Sequence, residues 1–534
     1  MREECAPTDP SLLSDPATID TLAMHARRAP EAPAVYLDGV DEPLRYGELD
    51  RRAAQVAHWL VGLGLQVEDD IALLLENCLD YYPLGWGARR AGLYYTPISI
   101  HLKAAEVAYV LRDSGAKLLI TSPRMAELAR QITQGGDWGG NIYVIGGEVE
   151  GFTPLQPLLD AQDPTQALPQ RPVGRDFLYS SGTSGQPKGI KRALIPYAQR
   201  LEPNFETAFF QKYYQINPEC CYLSPAPLYH AAPHRFTMRC LEFGARVVVM
   251  PHFDAERALH LVEHFGCTHS QWVPTMMVRM LALPNEVKAK YDLSSMRTFI
   301  HAAAPCPPAV KQGIIDWWGP VVVEYYAGSE TVGITLLTSE EWLAHPGSVG
   351  KAVVGDIHIK DEAGQDLPPG EQGHIYFSGT PPFHYHNDAA KTAKAYAADG
   401  CATYGDLGHV DEDGYLYLSG RRTDLIISGG VNIYPQEAEN LLSTYPGIAD
   451  VAVIGVPHEE FGQEVKAVIE LLPHVSPSED LAQAILAHCR EHLGHIKCPR
   501  SVDFTPRLPR EANGKLYKRH LIAEYEQRAQ SNPH

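Results

Sequence analysis

The chain has 534 residues, too many for one hydrophobic core, and its length points to about two to four structural units. Its composition, 45% hydrophobic and 21% charged, is that of an ordinary globular protein. A net charge of −20 opposes binding to a phosphate backbone and excludes nucleic acid as an expected partner, while leaving room for a local basic pocket around a small phosphorylated ligand.

The amino-terminal MREECAPTDPSLLSDP has no apolar stretch of the signal-peptide kind. From there, short apolar runs alternate with helical patterns. LDRRAAQVAHWLVGLG (49–64) places Leu49, Ala53, Val56, Ala57, Leu60 and Val61 on one stripe and predicts a helix closed near Gly64. KAAEVAYVLRDSGA (103–116) repeats the scheme with Val107, Val110 and Leu111 inward. IALLL (71–75), AKLLITS (116–122), IYVIGG (142–147) and RVVVM (246–250) read as buried strands. Such alternation predicts parallel sheets covered by helices.

The texture changes near residue 400. HVDEDGYLYLSGRR (409–422) reads as a strand pair around a DEDG turn. Beyond it, ADVAVIGVP (449–457) and VKAVIELLP (465–473) read as strands. SPSE (476–479) predicts a helix start, with Ser476 as cap, Pro477 at the first helical position and Glu479 completing a capping box. The change predicts an N-terminal domain over 1–422 and a smaller C-terminal domain over 423–534. No run of about 18 apolar residues occurs, so stable membrane insertion is not expected. Ten scattered cysteines without a C-x-x-C suggest neither a zinc site nor a disulfide framework, and predict a reducing, cytoplasmic setting.

One stretch stands out for chemistry. YSSGTSGQPKG (179–189) follows a short predicted strand, DFLYS. Its glycines let several N–H groups converge on one anion, its hydroxyls add donors, and Lys188 adds a point charge. It differs from the G-x-x-x-x-G-K-[ST] phosphate loop, because Pro187 precedes the lysine and Gly189 follows it.

Five further stretches lie downstream: PLYH (227–230), EYYAGSE (324–330), YGDLG (404–408), GRRTDLIISGGVNIYPQEAE (420–439) and PREANGKLYKR (509–519). Together with the glycine-rich loop, in this order and spacing, they resemble the adenylate-forming superfamily. That superfamily comprises acyl-CoA synthetases, peptide-synthetase adenylation domains and beetle luciferases. The resemblance runs from about residue 20 to 525 and is nearest to fatty-acid-type acyl-CoA ligases. It implies an α/β fold: a large N-terminal domain of helix-covered, mostly parallel sheets with a small barrel-like β part, and a small mobile α+β C-terminal domain.

The resemblance also implies a reaction. A carboxylate attacks the α-phosphorus of ATP to give an acyl-adenylate and pyrophosphate. A thiol, usually that of coenzyme A, then displaces AMP. Ser180, Ser181, Gly182, Thr183, Ser184, Gly185 and Lys188 would hold the β- and γ-phosphates. Glu330 would ligate Mg²⁺ and Ser329 would meet the α-phosphate. Tyr326 would stack on adenine beside Ala304, while Asp406 and Arg421 would reach the ribose. His230 would gate or orient the acid's carboxylate. Lys515 would bridge that carboxylate and the α-phosphate as the main catalytic cation. In a second pose of the C-terminal domain, Ser428, Gly429 and Gly430 would face the pantetheine channel.

PLYHAAP has no aspartate to pair with an α-amine, so the expected substrate is a hydrophobic carboxylic acid without an α-amino group. Fatty acids lead, followed by alicyclic, steroid side-chain and aromatic acids. Tyr229, Phe236, His301 to Pro305 and Gly328 are the expected pocket walls. Several places depart from the family pattern, among them Ser329, where threonine is usual. Thr423 stands where the hinge usually has Asp or Lys, Ala327 stands where glycine is common, and HAAAP (301–305) replaces Gly-Gly-Ala-Pro. Alternative readings are a ligase loading a separate acyl carrier protein and a non-catalytic nucleotide-binding protein. FHYHND (383–388), DEDG (411–414) and PHEEFGQE (457–464) lack the partners or spacing of metal sites.

Overall fold

A computed structural model describes residues 20–136, 138–180, 187–421, 424–428, 431–458, 460–510 and 516–531. The chain divides into two compact units. One runs to Gln271 and adds Ser295–Arg297 and His384–Ala389; the other comprises Trp272–Ser294, Thr298–Phe383 and the chain from Ala390 onward.

The first unit contains a parallel six-stranded sheet in the order Thr153–Pro154, Asn141–Val144, Leu118–Thr121, Asp70–Leu74, Tyr94–Pro97, Arg175–Asp176. Asp70–Leu74 is buried along its whole length, as expected of a central strand with helices on both faces. The helix expected at 49–64 runs Tyr46–Gly62. It starts earlier because Tyr46 is itself buried, its hydroxyl donating to the carbonyl of Ala245 at 2.8 Å. The helix Ala104–Ser114 ends at Gly115, whose φ of +71° supplies the left-handed cap. A second sheet places Cys221–Ser224 beside Arg246–Val249, with Pro33–Leu37 continuing in parallel and Leu44–Arg45 closing the edge antiparallel.

In the second unit Thr298–His301 and Val322–Tyr326 are parallel neighbours, and Ile334–Thr338 and Lys351–Val354 continue antiparallel. The β part is a four-stranded antiparallel sheet in the order Asp356–Lys360, Gly373–Ser378, Asp406–Val410, Leu416–Arg421. The DEDG stretch makes its last turn, with Asp411 N–H bonded to Tyr415 O at 3.0 Å and Gly414 at φ +82°.

Residues 426–521 build their own cores. One gathers Ile426, Leu442, Val453, Ile469 and Ile485; another gathers Ile454, Val468, Leu508 and Leu521. Their sheet pairs Ile448–His458 antiparallel with Gly462–Leu471, which runs parallel to Ser501–Thr505. The helix start expected at Ser476 is displaced by two residues. Ser478 is the cap, its side chain accepting Leu481 N–H at 3.2 Å, and the helix is Glu479–His492. Pro477 therefore precedes the cap, and Glu479 and Asp480 supply first-turn negative charge instead of a box. Among the described residues no helix is long and apolar enough to cross a membrane, nine cysteines are free, and no group of three or more metal-ligating side chains converges.

Candidate active site

In the first unit, the glycine-rich stretch is the connection of a hairpin. Leu178–Ser180 pairs antiparallel with Lys188–Ile190, Lys188 opposite Ser180. Ser181, Gly182, Thr183, Ser184, Gly185 and the side chain of Ser180 lie outside the described residues. The base of the hairpin is held firmly. Phe177 is buried and donates its N–H to Tyr95 O at 2.9 Å, and Tyr179 donates its hydroxyl to Asp113 at 2.7 Å. A Cβ on Gly189 would meet the Phe177 and Tyr179 rings within 2.9 Å, so packing as well as flexibility selects glycine there. Beside the hairpin, Asp176 binds Arg192 at 2.7 Å and Arg235 at 2.9 Å. Burial pushes the Asp176 carboxyl up, but these guanidiniums hold it well below the usual range. Lys188 Nζ lies 5.1 Å from the centre of the Tyr385 ring. In the H-x-H of FHYHND, His386 donates Nε2–H to Asp113 O at 3.0 Å and stands edge-on to the Phe177 ring.

His230 is the N-cap residue of the helix Ala231–Glu242 and packs on Tyr229, ring centres 4.6 Å apart. Phe236, on the same helix, belongs to an aromatic cluster with Phe210, Tyr214 and Tyr222. One turn from His230, His234 meets the Tyr95 hydroxyl at 2.8 Å. Burial lowers its pKa to about 4, so it is a neutral partner.

The second unit assembles residues that are distant in sequence. Tyr326 ends its strand and donates its hydroxyl to Asp406 Oδ2 at 2.6 Å. Arg421, directly opposite Asp406 in the antiparallel pair, donates Nε–H to Oδ1 at 3.1 Å. Burial and the Asp406 carboxylate both raise the Tyr326 phenol, and that carboxylate raises Arg421. The expected adenine and ribose groups thus form one hydrogen-bonded cluster. The sequence reading missed Tyr404, which stands edge-on to Tyr326 at 5.5 Å and donates its hydroxyl to Gly333 O at 2.8 Å. It lies in the YGDLG stretch, but no spacing rule ties it to Tyr326.

Ser329 and Glu330 occupy the turn after this strand, closed by Thr331 N–H to Gly328 O at 3.1 Å with Thr331 at φ +58°. A Cβ on Gly328 would stand 2.4 Å from the Tyr404 ring and 2.7 Å from Glu330 Oε2. In HAAAP, Ala303 adopts φ +77°, the left-handed region where glycine is strain-free, next to Ala304. His301, fully buried, faces Glu324, which forms an ion pair with buried Lys311. Burial, then Lys311, holds the imidazole well below its ordinary pKa.

Of the C-terminal candidates, Ser428 ends a strand opposite Val431, while Gly429, Gly430, Thr423 and Lys515 lie outside the described residues. The chain flanking Lys515 is anchored: Arg510 pairs with Asp450, and Tyr517 N–H bonds Pro509 O at 2.9 Å.

The chain matches the family model of AMP-binding enzymes over residues 22–383 and that of the AMP-binding enzyme C-terminal domain over 437–515. It is 34% identical over 502 residues to a feruloyl-CoA synthase of Amycolatopsis, a match covering 92% of this chain and 96% of that protein. It is 30% identical to the long-chain-fatty-acid–CoA ligase FadD13 of Mycobacterium tuberculosis, covering 94% and 97%. Among solved structures, the anthranilate CoA ligase AuaEII in complex with anthranoyl-AMP superposes with a TM-score of 0.82 at 25% identity, covering 98% of this chain and 100% of that one. The chain belongs to the family of AMP-binding enzymes and is an adenylate-forming enzyme of the acyl-CoA ligase type.

Proposed function

We propose that this enzyme converts a hydrophobic carboxylic acid without an α-amino group into its CoA thioester. A carboxylate oxygen attacks the α-phosphorus of ATP, pyrophosphate leaves, and an acyl-AMP results. The CoA sulfur then attacks the acyl carbon, AMP leaves, and the thiol proton passes to solvent. The observation that carries the reading is the Tyr326–Asp406–Arg421 cluster, a hydrogen-bonding set suited to a nucleoside, within a chain of this family. Each carboxylate oxygen of Asp406 has two lone pairs, so acceptor capacity remains for ribose hydroxyls after Tyr326 and Arg421 are bonded.

Lys188 and the loop before it would hold the leaving pyrophosphate. Lys515 would place positive charge at the reacting centre, His230 would orient the acid, and Gly429 and Gly430 would line the path of the thiol arm in a second pose of the 423–534 domain. Glu330 fits Mg²⁺, a hard cation commonly bound by one or two carboxylates together with phosphate oxygens, and the missing Cβ of Gly328 leaves its carboxylate room in the turn. The ion would neutralise phosphate charge. Preference for a hydrophobic acid is supported by the absence of an acidic residue in PLYHAAP and by relatives that act on ferulate and long-chain fatty acids. Free cysteines support a reducing, cytoplasmic setting.

The test is a screen of AMP and pyrophosphate release over a panel of fatty, alicyclic, steroid side-chain and aromatic acids, with and without CoA. Release that requires both an acid and CoA supports the ligase. Acid-dependent adenylation that CoA does not turn over, with transfer to a carrier protein instead, would move the acceptor. ATP binding with no turnover on any acid would replace the reading by a non-catalytic one.

A further inference from the structure

Asn77 lies in the connection that leaves the carboxyl end of Asp70–Leu74, before the helix Tyr81–Arg90. The residue is only 7% exposed. Its side chain uses three of its hydrogen-bonding capacities at good geometry. Nδ2 donates to Met250 O at 2.8 Å and to Ala226 O at 3.2 Å, and Oδ1 accepts the N–H of Leu228 at 2.8 Å. Ala226 and Leu228 belong to the exit of Cys221–Ser224, and Met250 follows Arg246–Val249. One amide therefore ties the carboxyl ends of three strands drawn from two sheets, over separations of 149 to 173 residues.

What the amide holds is the PLYH stretch. It brackets Pro227, bonding the residue on either side of it. His230 N–H bonds back to Pro227 O at 3.2 Å, and His230 then opens the helix Ala231–Glu242. Leu228 is fully buried, so the two residues from Leu228 to His230 have little freedom once Leu228 is pinned. No backbone ladder could do this, because the three groups belong to loops and not to paired strands. A substitute would need a donor pair and an acceptor on one short planar group, which among the side chains of this length only asparagine offers.

We infer that Asn77 is a positioning residue for acid activation, fixing the PLYH turn so that His230 meets the carboxylate of the acid. The inference rests on the role of His230 in the ligase reading above. A purely structural Asn77 would lower stability without singling out one substrate. A positioning Asn77 acts on the acid and leaves ATP alone.

The experiment measures kcat and KM for ATP and for a turned-over acid, using the full chain as wild type, Asn77→Ala, His230→Ala and the double variant. The expected result for Asn77→Ala is a loss of about 10- to 100-fold in kcat/KM for the acid, with KM for ATP within about twofold of wild type. The double variant should be no worse than His230→Ala, because both changes remove the same interaction. A KM for ATP raised as much as the KM for the acid, or losses that multiply in the double variant, would overturn the inference. If Asn77→Ala does not fold, Asn77→Asp serves. It keeps the acceptor for Leu228 and removes both donors, and an unchanged kcat/KM for the acid would overturn the inference equally. His230→Ala with full activity overturns the role of His230 and this inference with it, whereas a wild type inert toward every acid overturns the ligase reading itself.

Discussion

The hydroxyl of Tyr326 donates to Asp406 Oδ2 at 2.6 Å across 80 residues of sequence, while Arg421 engages the other carboxylate oxygen. This fixes the Asp406 carboxylate before any nucleotide arrives. Tyr326→Phe keeps the ring and removes that bond. A hydrogen bond to a charged acceptor contributes roughly 1.5–3 kcal/mol, part of which solvent replaces, so KM for ATP should rise about threefold to tenfold with KM for the acid unchanged. An unaltered ATP KM would show that the bond does not organise the nucleotide site.

Gly328 is the point of closest approach in the turn bearing Ser329 and Glu330. The Tyr404 ring that an added Cβ would strike is itself held by Gly333. Relief must come from the turn, at a cost of about 1–3 kcal/mol typical of overpacking. Gly328→Ala should lower kcat/KM for ATP more than about tenfold while the protein remains folded by circular dichroism. Activity within twofold of wild type would mean the turn adjusts freely.

Asp70 provides a pH signature. It sits in the central strand, 2% exposed, with the Thr96 hydroxyl at 2.9 and 3.0 Å from its two carboxyl oxygens. Burial raises its pKa from 3.8 to about 7. The folded state therefore keeps a proton that the unfolded chain releases at lower pH. The stability this group contributes is fully present below about pH 4 and is lost as pH rises through 7. Asp70→Asn should thus gain in melting temperature relative to wild type between pH 5 and pH 8. A difference that stays flat across that range would contradict the protonated buried carboxyl.

Lys515 separates the two half-reactions. Lys515→Ala should lower acyl-adenylate formation by about 100-fold or more, the scale of removing one charge-stabilising group, while largely sparing thiol attack on a supplied acyl-adenylate. Equal loss in both steps would rule out a lysine used in only one pose.

The parallel strands and covering helices were legible because burial on both faces writes continuous apolar runs, as in Asp70–Leu74, and one-sided burial writes stripes, as in Tyr46–Gly62. The order of short motifs pointed to the family. Boundaries were less legible. The Tyr46 helix begins early because of a bond to Ala245, and the SPSE helix is capped by Ser478 and not Ser476, a choice that local grounds leave open. Contacts between distant segments left no local trace. Tyr404 against Tyr326, the ion pair of Lys311 with Glu324 beside His301, and the three bonds of Asn77 all join segments whose meeting only the fold decides. The left-handed Ala303 was visible as a departure from glycine, but its backbone strain was not.

The central claim is that the acid is activated by attack of its carboxylate on the α-phosphorus of ATP. An acid turned over by the enzyme, labelled with ¹⁸O in its carboxylate, should be incubated with ATP and CoA and the AMP analysed by mass spectrometry. One ¹⁸O atom is expected in each AMP formed, matched one for one by acyl-CoA. AMP without label, or label appearing in phosphate or pyrophosphate, would contradict the claim.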